Sequence, residues 1–231
     1  MIGIYFSGTG NSKYCIEKFL QEYDSGAEAF SIENEELLIK IREHEDLVFS
    51  YPVQFSNLPK IVKDFVDQHH QLWKNKRVFV IATMGLFSGD GAGLLARMLH
   101  QHGRSIEKNR HLVADAGKKA AEAAYKTKNG TPPQEGIGPF YHLAGLFGQR
   151  LYFYNRTKHY TDQLKINTHK CTGCGLCAAV CPMKNITLVD GRAKSGNQCT
   201  MCYRCINRCP RQAITLLGKR IVEQCRIENY L

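Results

Sequence analysis

The sequence predicts an α/β chain in which a doubly wound parallel sheet is followed by a small α+β domain organised around cysteine. Three observations carry this reading. Apolar, strand-like runs alternate with helix-period segments through the first 115 residues. The first run ends in Ser7-Gly8-Thr9-Gly10-Asn11-Ser12, directly before a helical pattern. Eight of the ten cysteines fall in two matching runs near the C-terminus.

The strand-like runs are Ile2–Phe6, Ala27–Ile32, Leu47–Tyr51 and Arg77–Thr83, with a weaker one at His111–Ala114. Between them, Ile16, Phe19, Leu20 and Tyr23 recur at helical spacing within residues 11–23, and residues 34–43, 58–72 and 91–103 read the same way. Such β-α repetition places helices on both faces of a parallel sheet. Asp115 is a candidate cap for a last, Ala/Lys-rich helix. Thr131-Pro132-Pro133 and Gly136-Ile137-Gly138-Pro139 then mark a break. We therefore divide the chain into residues 1–130, an aromatic helical connector over 131–163, and residues 164–231. In the connector, Phe140, Leu143, Phe147, Leu151 and Tyr154 form one helical stripe. Packing between domains is the first expectation for it and protein association the next, with a peripheral membrane face as the lesser one.

The turn after the first strand suits an anion. Gly8 and Gly10 let the backbone turn tightly and approach a ligand. A helix N-terminus supplies unpaired N–H groups and the positive end of a dipole, and Ser7, Thr9, Asn11 and Ser12 add side-chain donors. So many short donors around one concavity fit a terminal phosphate dianion. The rival is a dinucleotide fingerprint with Glu33 as the ribose acid, which Lys13 weakens because it stands where the third glycine belongs.

The cysteine runs are Cys171-x2-Cys174-x2-Cys177-x3-Cys181-Pro182 and Cys199-x2-Cys202-x2-Cys205-x3-Cys209-Pro210. This is the ligand run of bacterial [4Fe–4S] ferredoxins, in which the fourth cysteine ligates the other cluster. One cluster is thus expected on Cys171, Cys174, Cys177 and Cys209, and the other on Cys199, Cys202, Cys205 and Cys181. The runs repeat at an offset of 28 residues, and Ile186-Thr187-Leu188 matches Ile214-Thr215-Leu216 beyond them. Structural zinc uses paired C-x2-C hooks and fits poorly. A disulfide framework implies export, and thiols with clusters point instead to a reducing cytoplasm.

Ser7-Gly8-Thr9-Gly10-Asn11-Ser12 resembles the hydroxyl-rich FMN phosphate loop of flavodoxins. Together with the cysteine runs, the whole chain resembles the flavodoxin–ferredoxin fusion family. That resemblance implies a flavodoxin-like sheet of order 2-1-3-4-5, FMN, and a two-[4Fe–4S] ferredoxin domain. It places the flavin ring against the loops after strands three and four. The residues implied there are Tyr51, Pro52, Val53, Gln54 and Phe55, then Thr83, Met84, Gly85, Phe87, Gly89 and Asp90. Tyr51, Phe55 and Phe87 are the candidate stacking aromatics, and the lone Trp73 is assigned to packing. Gly85, Gly89 and Gly91 are expected to let the backbone approach the ring.

The formal charge of +10 is unevenly spread: 13 basic and 15 acidic residues in 1–116, 7 and 3 in 117–163, 11 and 3 in 164–231. An oxidised cluster with four thiolates carries about −2, so part of the basic excess offsets cluster charge. We therefore expect an acidic protein partner rather than nucleic acid, with Lys184, Lys194, Arg204, Arg208 and Arg211 flanking the ligand runs. No stretch reaches the roughly 18 apolar residues of a membrane span. The expected function is electron transfer between FMN and the clusters, converting between two-electron and one-electron chemistry. The alternatives are a flavin-dependent reductase of a small acceptor such as a quinone, with Asp90 and Tyr51 as proton-donor candidates, and a redox-sensing interaction module. Cys15 and Cys225, outside the runs, read as free thiols.

Overall fold

The apolar runs close into a five-stranded parallel sheet of order β2-β1-β3-β4-β5, the order expected. The strands are β1 (Ile2–Tyr5), β2 (Ala29–Ser31), β3 (Asp46–Pro52), β4 (Arg77–Thr83) and β5 (Arg110–Leu112). Helices α1 (Asn11–Tyr23), α2 (Leu37–Glu43), α3 (Lys60–Gln68), α4 (Gly91–Gln101) and α5 (Ala116–Lys128) connect or follow them. The computed structural model describes residues 1–84, 91–101, 110–112, 116–131, 139–151, 163–218 and 224. They belong to two compact units, one built on Met1–Ser7 and Asn11–Phe153, the other on Gly8–Gly10 and Tyr154–Leu231. Connector residues 132–138 and 152–162, Asp115 and Cys225 lie outside the described residues.

In the first unit, β3 is buried over Leu47–Tyr51, as a central parallel strand must be. Val48 faces one side with Phe79 and Ile81, and there α1 lays down Cys15, Ile16, Phe19 and Leu20 while α5 adds Ala120, Ala123 and Ala124. Gly3 makes this approach close: a Cβ there would stand 2.8 Å from Leu20 Cδ1. Phe49 stacks on Trp73 at 6.1 Å and meets Phe65 of α3 edge-on. Trp73 is fully buried and donates its indole N–H to the Val66 carbonyl at 3.1 Å. Truncating a ring such as Phe19 would cost about 3–5 kcal/mol.

Two helices are shorter than their periodicity implied. Asn34 Oδ1 accepts the Glu36 N–H at 2.8 Å, an Asx turn that delays α2 to Leu37. The pattern over 58–72 divides into α3 and a separate 3-10 turn, His70–Trp73. Beyond the sheet, α6 (Pro139–Gly145) continues into a π-helical turn, Leu146–Arg150. Phe140, Leu143, Phe147 and Leu151 of the aromatic stripe are exposed. No helix among the described residues is long and apolar enough to cross a membrane.

The second unit has two antiparallel pairs. β6 (Leu164–Ile166) pairs with β9 (Ile214–Leu216), and β7 (Ile186–Val189) with β8 (Arg192–Ser195). Two short helices, α7 (Leu176–Ala179) and α8 (Arg204–Arg208), each hold the third cysteine of a run. The 28-residue repeat is written into the backbone. Left-handed φ values recur at Gly173 and Met201 (72° and 50°), Gly175 and Tyr203 (75° and 60°), Lys184 and Gln212 (49° and 45°), and Asp190 and Gly218 (49° and 71°).

Candidate cofactor sites

The cysteine runs do not each enclose their own cavity. Cys171, Cys174, Cys177 and Cys209 line one cavity. Cys181, Cys199, Cys202 and Cys205 line a second. The first three cysteines of each run lie on the turn and helix that enter it, while the fourth is carried across to the other half. Among the described residues, no three His, Cys, Asp or Glu are grouped to hold one metal ion. Four thiolates that bind four separate irons stand farther apart than the ligands of one ion.

Backbone N–H groups already point at these sulfurs. The Asn185 N–H donates to Cys181 Sγ and the Ala213 N–H to Cys209 Sγ, each at 3.3 Å and each four residues after its cysteine. The Ala193 N–H reaches Cys171 Sγ at 3.5 Å, and the Met201 N–H reaches Cys199 Sγ at 3.4 Å. Such donors favour the thiolate that a cluster needs. At Cys171, hydrogen bonds from the Ala193 and Gly173 N–H groups hold the thiol below its ordinary pKa. Elsewhere burial dominates: it pushes Cys202 up to about 11 and raises Cys177, Cys199 and Cys205. Loading those positions therefore releases protons. Cys174 is the exposed member of the first ring, whereas Cys202 at the equivalent place is half-buried.

Ser7–Gly10 links the C-terminal end of β1 to α1 and is half-buried. Gly10 has φ 97°, a conformation that side chains resist. Asn11, the first helical residue, is exposed. The arrangement presents the start of α1 at the sheet edge where open α/β folds bind ligands. Following β3, Gln54 and Asn57 exchange backbone hydrogen bonds at 3.0 and 2.8 Å around a tight turn. Phe55 and Ser56 at its tip both have positive φ, 50° and 57°.

Residues 2–118 match the flavodoxin domain family, and residues 158–214 match the 4Fe-4S dicluster domain family. The chain belongs to the flavodoxin–ferredoxin fusion family. Those two domains make the fusion a flavin and iron–sulfur electron-transfer protein, with FMN and iron–sulfur clusters as its cofactors. No curated protein matches the chain. Among solved structures, its flavodoxin part is similar to the two-electron reduced flavodoxin of Megasphaera elsdenii, with 20% identity over 55% of this chain and 99% of that one, TM-score 0.46. It is also similar to a flavodoxin from the domain Archaea, with 16% identity over 56% and 96%, TM-score 0.48. For the Fusobacterium nucleatum flavodoxin bound to flavin mononucleotide the figures are 12%, 56% and 98%, and 0.43.

In the fusion, several residues expected at the flavin do other work. The Tyr51 ring is fully buried, packs edge-on against Phe49 and donates its hydroxyl to the Gly91 carbonyl at 3.1 Å. It is a core residue and not a stacking aromatic, because β3 alternation turns it inward. The hydroxyls of Ser12 and Thr83 lie 2.7 Å apart, both buried, so each satisfies the other. Thr83 also donates to the Tyr51 carbonyl at 3.4 Å. These two side chains thus tie α1 to β4; the Ser12 N–H remains in the first turn of α1. Gly91 packs closely on Val53, since a Cβ there would stand 2.6 Å from both Val53 methyls. Pro52, Val53, Gln54 and Phe55 are half-buried along the turn, and Met84 follows β4, half-buried. Gly85, Phe87, Gly89 and Asp90 lie outside the described residues. Among the described candidates, Phe55 is the aromatic left at a loop tip. Sequence reasoning passed over Met183, Asn185, Thr200, Met201 and Tyr203, which line the second cavity. The signal was available: they occupy places where the other half has Arg211, Ala213, Thr172, Gly173 and Gly175.

Proposed function

We propose that the protein carries one FMN and two [4Fe–4S] clusters and converts two-electron flavin chemistry into one-electron transfer to a protein partner. Cys171, Cys174, Cys177 and Cys209 hold one cluster; Cys181, Cys199, Cys202 and Cys205 hold the other. The observation that carries this reading is the crossing of the fourth cysteine into the opposite cavity. Ser7, Thr9, Gly10, Asn11 and the first N–H groups of α1 take the FMN phosphate. FMN accepts or gives electrons singly or in pairs, and each cluster passes one. Protein isolated without oxygen should contain about eight irons, eight sulfides and one FMN per chain, and reductive titration should show flavin and two cluster steps. Stoichiometric zinc without labile sulfide would overturn it.

The partner is acidic. Lys184, Lys194, Arg208 and Arg211 are exposed around the ligand runs, with Arg192 and Lys165 beside them. Arg204, expected in this group, is half-buried and donates to the Val180 carbonyl at 3.4 Å, so it anchors α8 against the first run. Opposite charges speed encounter and are screened within about 10 Å at 0.1 M salt. Electron exchange with an acidic ferredoxin or flavodoxin should slow as ionic strength rises, and again when Lys184 and Arg208 are both changed to Glu. A rate insensitive to both would return these residues to balancing cluster charge.

A further inference from the structure

Position 185 breaks the repeat in a way that bears on one cluster alone. Asn185 and Ala213 stand at equivalent places, four residues after Cys181 and Cys209, and their backbone N–H groups make the same bond to sulfur. Only Asn185 brings a polar side chain, and it is 5% exposed. Its Oδ1 accepts the Gln198 N–H at 2.6 Å. Because that partner can only donate, the amide orientation is fixed and the NH2 group points elsewhere. Asn185 Nδ2 is buried and has no hydrogen-bond partner, while Asn185 lines the cavity ringed by Cys181, Cys199, Cys202 and Cys205. A buried amide donor without an acceptor is costly. The acceptors that a loaded cavity offers are sulfurs of an anionic cluster.

We infer that the Asn185 side-chain amide donates an N–H···S hydrogen bond to the cluster held by Cys181, Cys199, Cys202 and Cys205, and raises its reduction potential. The inference rests on the cluster reading given above. Reduction adds one electron to the cluster and makes its sulfurs stronger acceptors, so a donor stabilises the reduced form more than the oxidised one. Ala213 offers the other cluster no such bond. Asn185 is a positioning and tuning residue that biases where a single electron rests in the pair.

The test measures both cluster potentials by EPR-monitored titration of the holoprotein, with Cys174→Ser identifying the cluster of the first ring. Asn185→Ala should lower the potential of the second cluster and leave the first unmoved. Asn185→Asp keeps the acceptor for the Gln198 N–H but replaces the donor, and should lower the same potential at least as far. A residue serving only to hold Gln198 would give the opposite pattern, with lost stability in Asn185→Ala, recovery in Asn185→Asp, and unchanged potentials; that pattern overturns the inference. If Asn185→Ala fails to hold the cluster, pulsed EPR of reduced wild-type protein carrying asparagine labelled with 15N in the side-chain amide alone decides, since coupling to that nitrogen is expected and its absence overturns the assignment. Wild-type protein without iron and sulfide would instead sink the cluster reading itself, whereas full iron with unmoved potentials sinks only the role of Asn185.

Discussion

In the first half of the cysteine unit, the left-handed turns before the second and third ligands are made by Gly173 and Gly175; in the second half the same turns are made by Met201 and Tyr203. The backbone path is shared, so the ligand geometry must be what both halves preserve. A side chain in the left-handed region costs about 1–2 kcal/mol. The second half accepts that cost at both turns and gains walls from it: Met201 is 5% exposed and both residues line the second cavity. The glycines add no side chain at these turns in the first half, where Cys174 is exposed. One fold thus exposes the second ligand of one ring and half-buries its counterpart in the other, and exposure is among the features that set cluster potentials.

The largest effect expected from breaking the pair comes from the ligands that cross. Cys209→Ala should empty the ring of Cys171, Cys174 and Cys177, although Cys209 belongs to the second run; Cys181→Ala should empty the other. Each variant should fall from about eight irons to about four per chain, or convert one cluster to a three-iron form. Iron and sulfide counts with EPR read this directly. Variants that lose the cluster of their own run would refute the crossing.

Strand order, the α1 boundaries and the repeat were legible in the sequence because long apolar periods and exact cysteine spacing are local signals. The fate of Tyr51 was not. An aromatic at the end of a strand reads equally as a loop-mouth ring or a core ring, and only the alternation of β3 against Phe49 and the reach of its hydroxyl to Gly91 decide. Ser12 and Thr83 are 71 residues apart, so neither segment could reveal that the two hydroxyls satisfy each other. The chemistry of Asn185 was hidden differently: the repeat pairs it visibly with Ala213, but an unmatched asparagine acquires meaning only when its amide proves buried and unpartnered.

The smaller and sharper test exchanges what the two halves tolerate at one turn. A Cβ at Gly173 would stand 2.0 Å from the Gly191 carbonyl oxygen, a backbone atom at the tip of the β7–β8 hairpin. The φ of 72° adds its own penalty. Nothing flexible is there to give way, so either the hairpin moves or the turn carrying Cys171 and Cys174 does. Moving the hairpin would also disturb the Ala193 N–H that donates to Cys171 Sγ. Gly173→Ala should therefore cost more than the turn penalty alone and weaken retention of the first cluster while sparing the second. Gly175→Ala is the control. Its φ is equally unfavourable, at 75°, but the nearest atom is Leu188 Cδ1 at an ordinary 3.4 Å. It should cost only about 1–2 kcal/mol of stability and keep both clusters. Met201→Ala, at the place equivalent to Gly173, already has a side chain in this conformation and should keep both as well. Iron content after a fixed exposure to chelator separates the three. Equal retention in Gly173→Ala and Gly175→Ala would show that backbone angle alone, and not the hairpin carbonyl, demands glycine in the first half.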